Sequence, residues 1–420
     1  MTVTAPRGFR ATGVVAGIKE SGGRDLALVI NDGPSCAAAG VFTANRVKAA
    51  PVLWTQQVVA GGRVRAVVLN SGGANACTGP AGFADTHQTA EHLAKVISQV
   101  PVTGAGGDPA AGDLAASGTA AGDTEAREAG AGETGAGEIA VCSTGLIGER
   151  LPLDRLLGGI DMAVAACAGG ADGGLSAADA IRTTDTVAKT CSAGGTGYLI
   201  GGMAKGAAML SPALATMLAV LTTDADLSAA ELDTALRAAV RPTFDRLDTD
   251  GCMSTNDTVL LMASGASGVT PDQAEFVQVL TEVCADLARQ LQLDAEGANK
   301  MIAIEVVGAA SEADAVTAGR AVARNNLLKC AIGGEDPNWG RVLSAVGTTD
   351  AVFEPDRLNV AINGIWVCRH GAPGDERSKV DLKPKDVTIT VDLSAGPHSA
   401  IILTTDLTTE YVHENSAYST

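Results

Sequence analysis

The sequence predicts a layered α+β architecture, and three observations point there. Short β-branched runs alternate along the chain with longer Ala- and Leu-rich stretches of amphipathic period. The last two strand-like runs, 386–392 and 399–404 across Ala-Gly-Pro-His-Ser, read as an antiparallel hairpin, which argues against a purely parallel sheet. The composition, 46% hydrophobic but only 3% aromatic over 420 residues, describes a sizeable core packed from small side chains.

In chain order, the strands are expected at Leu26–Ile30, Arg65–Leu69, Ile139–Ser143, Thr258–Ala263, Ile302–Val307, Leu358–Asn363 and Val387–Asp392. Helices are expected at about 81–99, 151–167, 226–246, 272–292 and 311–326. Ser228 with Glu231 and Thr270 with Gln273 have the spacing of capping boxes, and Pro271 suits a first helical position. Residues 104–137 hold 10 Gly and 11 Ala and little to bury, the composition of a disordered surface insertion. Residues 206–223 carry no charge, but Ser211, Pro212 and three threonines make them a buried segment of a core rather than a membrane span.

Composition and motifs exclude several classes. A formal net charge of −18 repels phosphate backbones and anionic lipid, so neither nucleic acid nor membrane is an expected partner. Nine scattered cysteines without a Cys-x-x-Cys argue against disulfides and structural zinc and for a reducing cytoplasm; no secretion signal is read in the first residues. The one G-x-G-x-x-G, Gly130 to Gly135, lies inside the Gly/Ala-rich insertion, so no nucleotide cofactor is expected. Gly265-Ala266-Ser267-Gly268 lacks the second glycine of a nucleophile elbow, because Val269 stands there. Asp248-Thr249-Asp250-Gly251 opens like a calcium loop but has Val259 at its twelfth position, so it is read as a turn. His87 and His92 are spaced by five, which misses metal geometry, and both are expected to face solvent.

Long motifs remain: Asn70-Ser71-Gly72-Gly73-Ala74-Asn75-Ala76-Cys77-Thr78-Gly79, Ser143-Thr144-Gly145-Leu146-Ile147-Gly148, Gly201-Gly202-Met203-Ala204-Lys205-Gly206, Ala215-Thr216-Met217-Leu218, Asp336-Pro337-Asn338-Trp339-Gly340-Arg341 and the C-terminal Glu414-Asn415-Ser416-Ala417-Tyr418-Ser419-Thr420. By these the chain resembles, from about residue 8 to 420 apart from the insertion, the ornithine acetyltransferase (glutamate N-acetyltransferase) family of arginine biosynthesis.

The resemblance implies a helix-flanked two-layer β-sheet sandwich, shared with DmpA-like aminopeptidases. It implies self-cleavage between Ala215 and Thr216, giving an α chain of 1–215 and a β chain of 216–420 that interleave in one catalytic unit and pair as an α2β2 heterotetramer. Thr216 then becomes an N-terminal nucleophile, whose α-amine titrates near roughly 7.7–8.0 and can take the hydroxyl proton without a histidine. Thr144 and Gly145 match the oxyanion hole; Thr183, Lys205, Thr216, Glu296, Asn415 and Thr420 match the substrate contacts. Arg182 before Thr183 and Ser419 before Thr420 depart from residues common in relatives. The implied activity is transfer of acetyl from N2-acetyl-L-ornithine to L-glutamate without metal or organic cofactor, with acetyl-CoA as a second donor in some members. The rivals are a self-processing aminopeptidase or amidase that releases the acyl group to water, and a non-catalytic amino-acid sensor.

Overall fold

In the computed structural model, residues 2–99, 134–211 and 217–417 are described. Residues 100–133, which include 104–133 of the Gly/Ala-rich insertion, the 215–216 cleavage site with Thr216, and Thr420 lie outside them. The first part of the chain runs β1 (Phe9–Val14), β2 (Leu26–Asn31), β3 (Ala38–Phe42), α1 (Ala50–Ala60), β4 (Ala66–Ser71), α2 (Gly79–Gln99), β5 (Ile139–Thr144), α3 (Leu153–Ala166), α4 (Ala171–Ala180), β6 (Lys189–Gly195) and β7 (Tyr198–Lys205). It continues with β8 (Leu218–Thr223), α5 (Ala229–Val240), β9 (Thr258–Ala263), α6 (Gln273–Leu293), β10 (Met301–Ala309), α7 (Glu312–Ala323), α8 (Asn326–Gly333) and α9 (Trp339–Val346). The last elements are β11 (Asn359–Ile362), β12 (Ile365–Arg369), β13 (Ala372–Pro373), β14 (Asp386–Asp392), β15 (His398–Thr405) and α10 (Thr409–Ala417).

Two sheets form the sandwich. One has the order β1-β2-β4-β5, the other β3-β9-β8-β7-β6. Side chains from both meet in one core, with Leu28, Val67 and Val141 of the first sheet and Met203, Val220, Leu260 and Met262 of the second. The alternate residues of the second sheet, Ile200, Ala219, Leu221, Val259 and Leu261, face the other way into a core with Leu232 and Leu236 of α5 and Leu280, Val283 and Leu287 of α6. A strand covered on both faces reads as a continuous apolar run, which is why β8 and β9 lack polar alternation. Of the segment expected to be buried at 206–223, β8 supplies 218–223 with all six residues buried, whereas Met209 is exposed and residues 212–216 lie outside the described residues. A third sheet, β13-β12-β11-β14-β10-β15, has its own core against α7 and α9.

Four expectations need correction. Strands β14 and β15 do not form a hairpin: β10 lies between them, parallel to β14 (Ile304 opposite Ile389) and antiparallel to β15 (Ile304 opposite Ile402). The connecting loop instead crosses the end of β10, where the amides of Ala395 and Gly396 donate to the Gly308 carbonyl at 2.6 and 2.9 Å. The helix expected over 226–246 stops at Val240, because Pro242 has no amide hydrogen to continue it, and resumes only as a short 3-10 turn at Phe244–Arg246. Helix α6 is capped by Asp272 rather than Thr270: the Asp272 carboxylate accepts from the amides of Ala274 and Glu275. A carboxylate serves both free amides and the positive helix end, which a threonine two residues upstream does not reach. Finally, the tail of the Gly/Ala-rich segment is ordered, because Ala136–Glu138 form a 3-10 turn whose Glu138 carbonyl accepts from the Arg65 amide at 2.7 Å. The Ser228–Glu231 capping box is present as expected.

Candidate active site

Strand β5 is buried along its whole length and ends at Thr144. The chain then turns at Gly145 with φ of 127°, and an added Cβ there would sit 2.7 Å from the Gly73 nitrogen, so only glycine fits. The long motif around Asn70 wraps this strand end. Ser143 Oγ donates to Asn70 Oδ1 at 2.6 Å, Asn70 Nδ2 donates to the Gly73 carbonyl at 2.9 Å, and Gly73 bridges Thr144. Asn256, just before β9, ties the two sheets by donating Nδ2 to the carbonyls of Ala74 (2.6 Å) and Ser143 (2.8 Å).

Lys205 is the last residue of β7 and is 1% exposed. Its Nζ donates to Thr144 Oγ1 at 3.1 Å. Burial lowers the Lys205 pKa, Asp185 and Asp257 oppose the shift, and Lys189 and Lys19 add to it. Lys205 lies opposite Leu218 in the β7–β8 register, and the amide of Met217, the residue after Thr216 in the sequence, donates to Asp257 Oδ1 at 3.1 Å. Burial pushes the Asp257 carboxyl well above the usual carboxylate range, against hydrogen bonds from Met217, Ser254 and Thr43 and the charge of Lys205.

Glu296 sits in the loop after α6, where its amide donates to the Ala207 carbonyl at 2.8 Å. Asn415 of α10 donates Nδ2 to Glu296 Oε2 at 2.8 Å. The next residue, Gly297, has φ of 59° and no room for a Cβ, which would fall 2.2 Å from the Tyr411 nitrogen; the loop and α10 pack backbone to backbone.

Thr144, Gly145, Thr183, Lys205, Glu296 and Asn415, six of the residues expected at the site, line one cleft of about 750 Å³ including its mouth. Asp250, Cys252 and Tyr411 also line it and were not expected there. The Asp248–Gly251 segment was read as a turn, which it is, but the Asp250 side chain is used: Oδ2 accepts from the Met209 amide at 2.5 Å and Oδ1 from Cys252 at 3.0 Å. The unusual signal was a second aspartate in so short a turn. Arg182, one of the departures, pairs with Asp179 at 2.8 Å and donates to the Thr186 carbonyl, holding the outside of the Thr183 loop.

Of the histidines, His87 stacks on Trp54 and His92 bonds Asp161 at 2.7 Å; both remain partly or fully accessible. No cluster among the described residues offers three metal-ligating side chains, and no helix among them is long and apolar enough to cross a membrane.

The model of the ArgJ family matches residues 10–420. The chain belongs to the ArgJ family. It is therefore an acyltransferase of arginine biosynthesis, in the glutamate N-acetyltransferase class. The arginine biosynthesis bifunctional protein ArgJ of Thermobifida fusca is 66% identical over the whole of both chains. The protein of the same name from Streptomyces coelicolor is 59% identical over 419 residues, again covering both chains. Among solved structures, the ornithine acetyltransferase of Mycobacterium tuberculosis in complex with ornithine is 54% identical, covering 50% of this chain and 94% of that one, with a TM-score of 0.41.

Proposed function

We propose that the chain transfers acetyl from N2-acetyl-L-ornithine to L-glutamate through an acyl-enzyme on Thr216, after cutting itself between Ala215 and Thr216. The observation that carries this reading is the convergence of Thr144, Gly145, Lys205, Glu296 and Asn415 on one cleft, with Lys205 paired in the sheet opposite Leu218, two residues after Thr216 in the sequence. The freed α-amine of Thr216 takes the hydroxyl proton as Oγ attacks the acetyl carbonyl. Negative charge on the carbonyl oxygen is met by donors from Thr144 and Gly145. Because Thr144 Oγ1 already accepts from Lys205, its own hydrogen is free to point into the cleft. Collapse of the intermediate breaks the C–N bond, and the α-amine returns the proton to the departing nitrogen of ornithine. Glutamate then attacks the threonyl ester with its neutral amine, forming N-acetylglutamate and restoring the hydroxyl. Lys205 supplies a cation for a substrate carboxylate, and Glu296, held by Asn415, a carboxylate for the distal ammonium of ornithine.

Acetyl-CoA serves as a second donor for glutamate on this reading, because the same acyl-threonine is reached from a thioester. The expected assembly is an α2β2 heterotetramer, with Thr183 and Thr420 completing the substrate contacts and no metal or organic cofactor in the cycle. The test is the intact mass of the denatured wild type and of Thr216→Ala, followed by acetyl transfer to labelled glutamate. Two fragments beginning at residues 1 and 216, no cut in the variant, and label in N-acetylglutamate support the proposal. An uncut wild type, or acetate as the only product, overturns it; acetate would favour the aminopeptidase-like hydrolase.

A further inference from the structure

Beneath the cleft lies a charge cluster built on Asp185, Lys189 and Asp294, none of them among the expected contacts. Asp185 is not a lining residue. Its Oδ1 accepts from the Gly206 amide at 2.6 Å and from Lys189 Nζ at 2.6 Å, and its Oδ2 accepts from the Thr183 amide at 3.0 Å. Gly206 follows Lys205 in the chain, so a single carboxylate holds the backbone at two of the cleft's polar residues. Lys189 Nζ also donates to Asp294 Oδ2 at 2.5 Å, and that oxygen accepts the Thr186 amide at 3.0 Å. Asp294 stands two residues before Glu296 in the chain.

The charges decide what the network does. Lys189, Lys205 and Asp185 are buried and Asp294 nearly so. Lys189 Nζ lies between the carboxylates of Asp185 and Asp294, and Asp185 is held in turn by the Gly206 amide beside Lys205, so the buried charges are packed side by side, where an uncompensated charge is costly. Of the other charged groups that face Lys205 among the described residues, Lys189 and Lys19 are cations that oppose its protonation, and burial raises the Asp257 carboxyl. Burial alone would lift the Asp185 carboxyl too, but Lys205, Lys189 and the Gly206 amide bring it down to about 2, so it stays ionised through the working range.

We propose that Asp185 is a positioning residue of the transfer site, fixing the backbone at Thr183 and Lys205 and supplying the buried Lys205 ammonium with its permanent counter-charge. The inference rests on Lys205 contacting substrate as proposed above. Asp185→Asn keeps the size and one acceptor oxygen, removes the charge, and gives up one of the two accepting sides, best the one that takes the Thr183 amide; Lys189→Gln removes the competing cation. The two variants move Lys205 in opposite directions, which a merely structural role for the cluster would not do.

The experiment is a pH titration of the Lys205 Cε signal in full-length protein labelled at the lysine ε-carbon, with Lys205→Ala for assignment, beside the pH dependence of acetyl transfer. In Asp185→Asn the Lys205 midpoint falls by about one pH unit or more, a tenfold weaker hold on the proton. The basic limb of the transfer profile falls with it, and the KM for N-acetylornithine rises about tenfold, more than kcat drops. In Lys189→Gln the midpoint rises. An Asp185→Asn midpoint and KM within twofold of wild type, or midpoints moving the same way in both variants, overturns the inference. Should Asp185→Asn not fold, the direction of the Lys189→Gln shift decides alone, and an unchanged or lowered midpoint overturns it. A wild type that transfers no acetyl while the midpoints diverge as stated defeats the functional reading and leaves the charge cluster standing; a transferring wild type with coincident midpoints does the reverse.

Discussion

Gly145 shows how much of the site depends on one missing methyl group. Its φ of 127° and the Gly73 nitrogen 2.7 Å from any Cβ leave the turn after β5 no alternative to glycine. With Thr144 and Gly145 as the proposed oxyanion donors, Gly145→Ala is expected to shift the turn that carries them, lowering kcat for acetyl transfer by roughly 10²–10³, the usual cost of losing one such donor. Steady-state kinetics check this, and a kcat within threefold of wild type would remove Gly145 from the chemistry. At this scale the motif residues were legible in the sequence, because the resemblance names Thr144, Gly145, Lys205, Glu296 and Asn415 and the cleft collects them. Asp185 was legible only as the third letter of Thr-Thr-Asp. Its importance comes from partners such as Lys189, and through it Asp294, 105 residues further on, and no local pattern announces a pair that distant.

At the scale of the element, local signals located the expected strands and the middles of the expected helices, missed others such as β1, β3, α1 and α4, and failed on who their neighbours are. All seven expected strands are present, since each is a compact apolar run, but the pairing of β14 with β10 joins residues far apart in the chain. The short loop after β14 looked like a hairpin turn because period-2 patterning reports which face is buried and nothing about which strand is adjacent. Helix ends were decided by single side chains, as Pro242 and Asp272 show. Asp272→Ala is expected to cost about 1 kcal/mol of stability through loss of the α6 cap, whereas Thr270→Ala stays within about 0.5 kcal/mol. Urea midpoints of the two variants, at one protein concentration, separate the caps; equal losses would return the cap to Thr270.

Across the whole molecule, the cleft is assembled from distant stretches: the end of β5, the end of β7, the loop after α6 and helix α10. The five-stranded sheet is ordered β3-β9-β8-β7-β6, so with a cut after residue 215 β3, β7 and β6 would come from one fragment, and β9 and β8, the inner strands held between β3 and β7, from the other. Two polypeptides woven in this way cannot part without breaking backbone pairing on both sides of the inner strands. Cleavage would leave the native enzyme a single body yet change the molecularity of its denaturation, because separated fragments must find each other again by collision. The melting temperature of processed protein should then climb with concentration, by mass action. That of an uncleaved Thr216→Ala protein should climb less, by the whole contribution of fragment reassociation; calorimetry over a hundredfold concentration range distinguishes the two. The peptide bond given up to create a nucleophile would thus be repaid in irreversibility: once heated apart at cellular dilution, the enzyme returns only as fast as its halves meet.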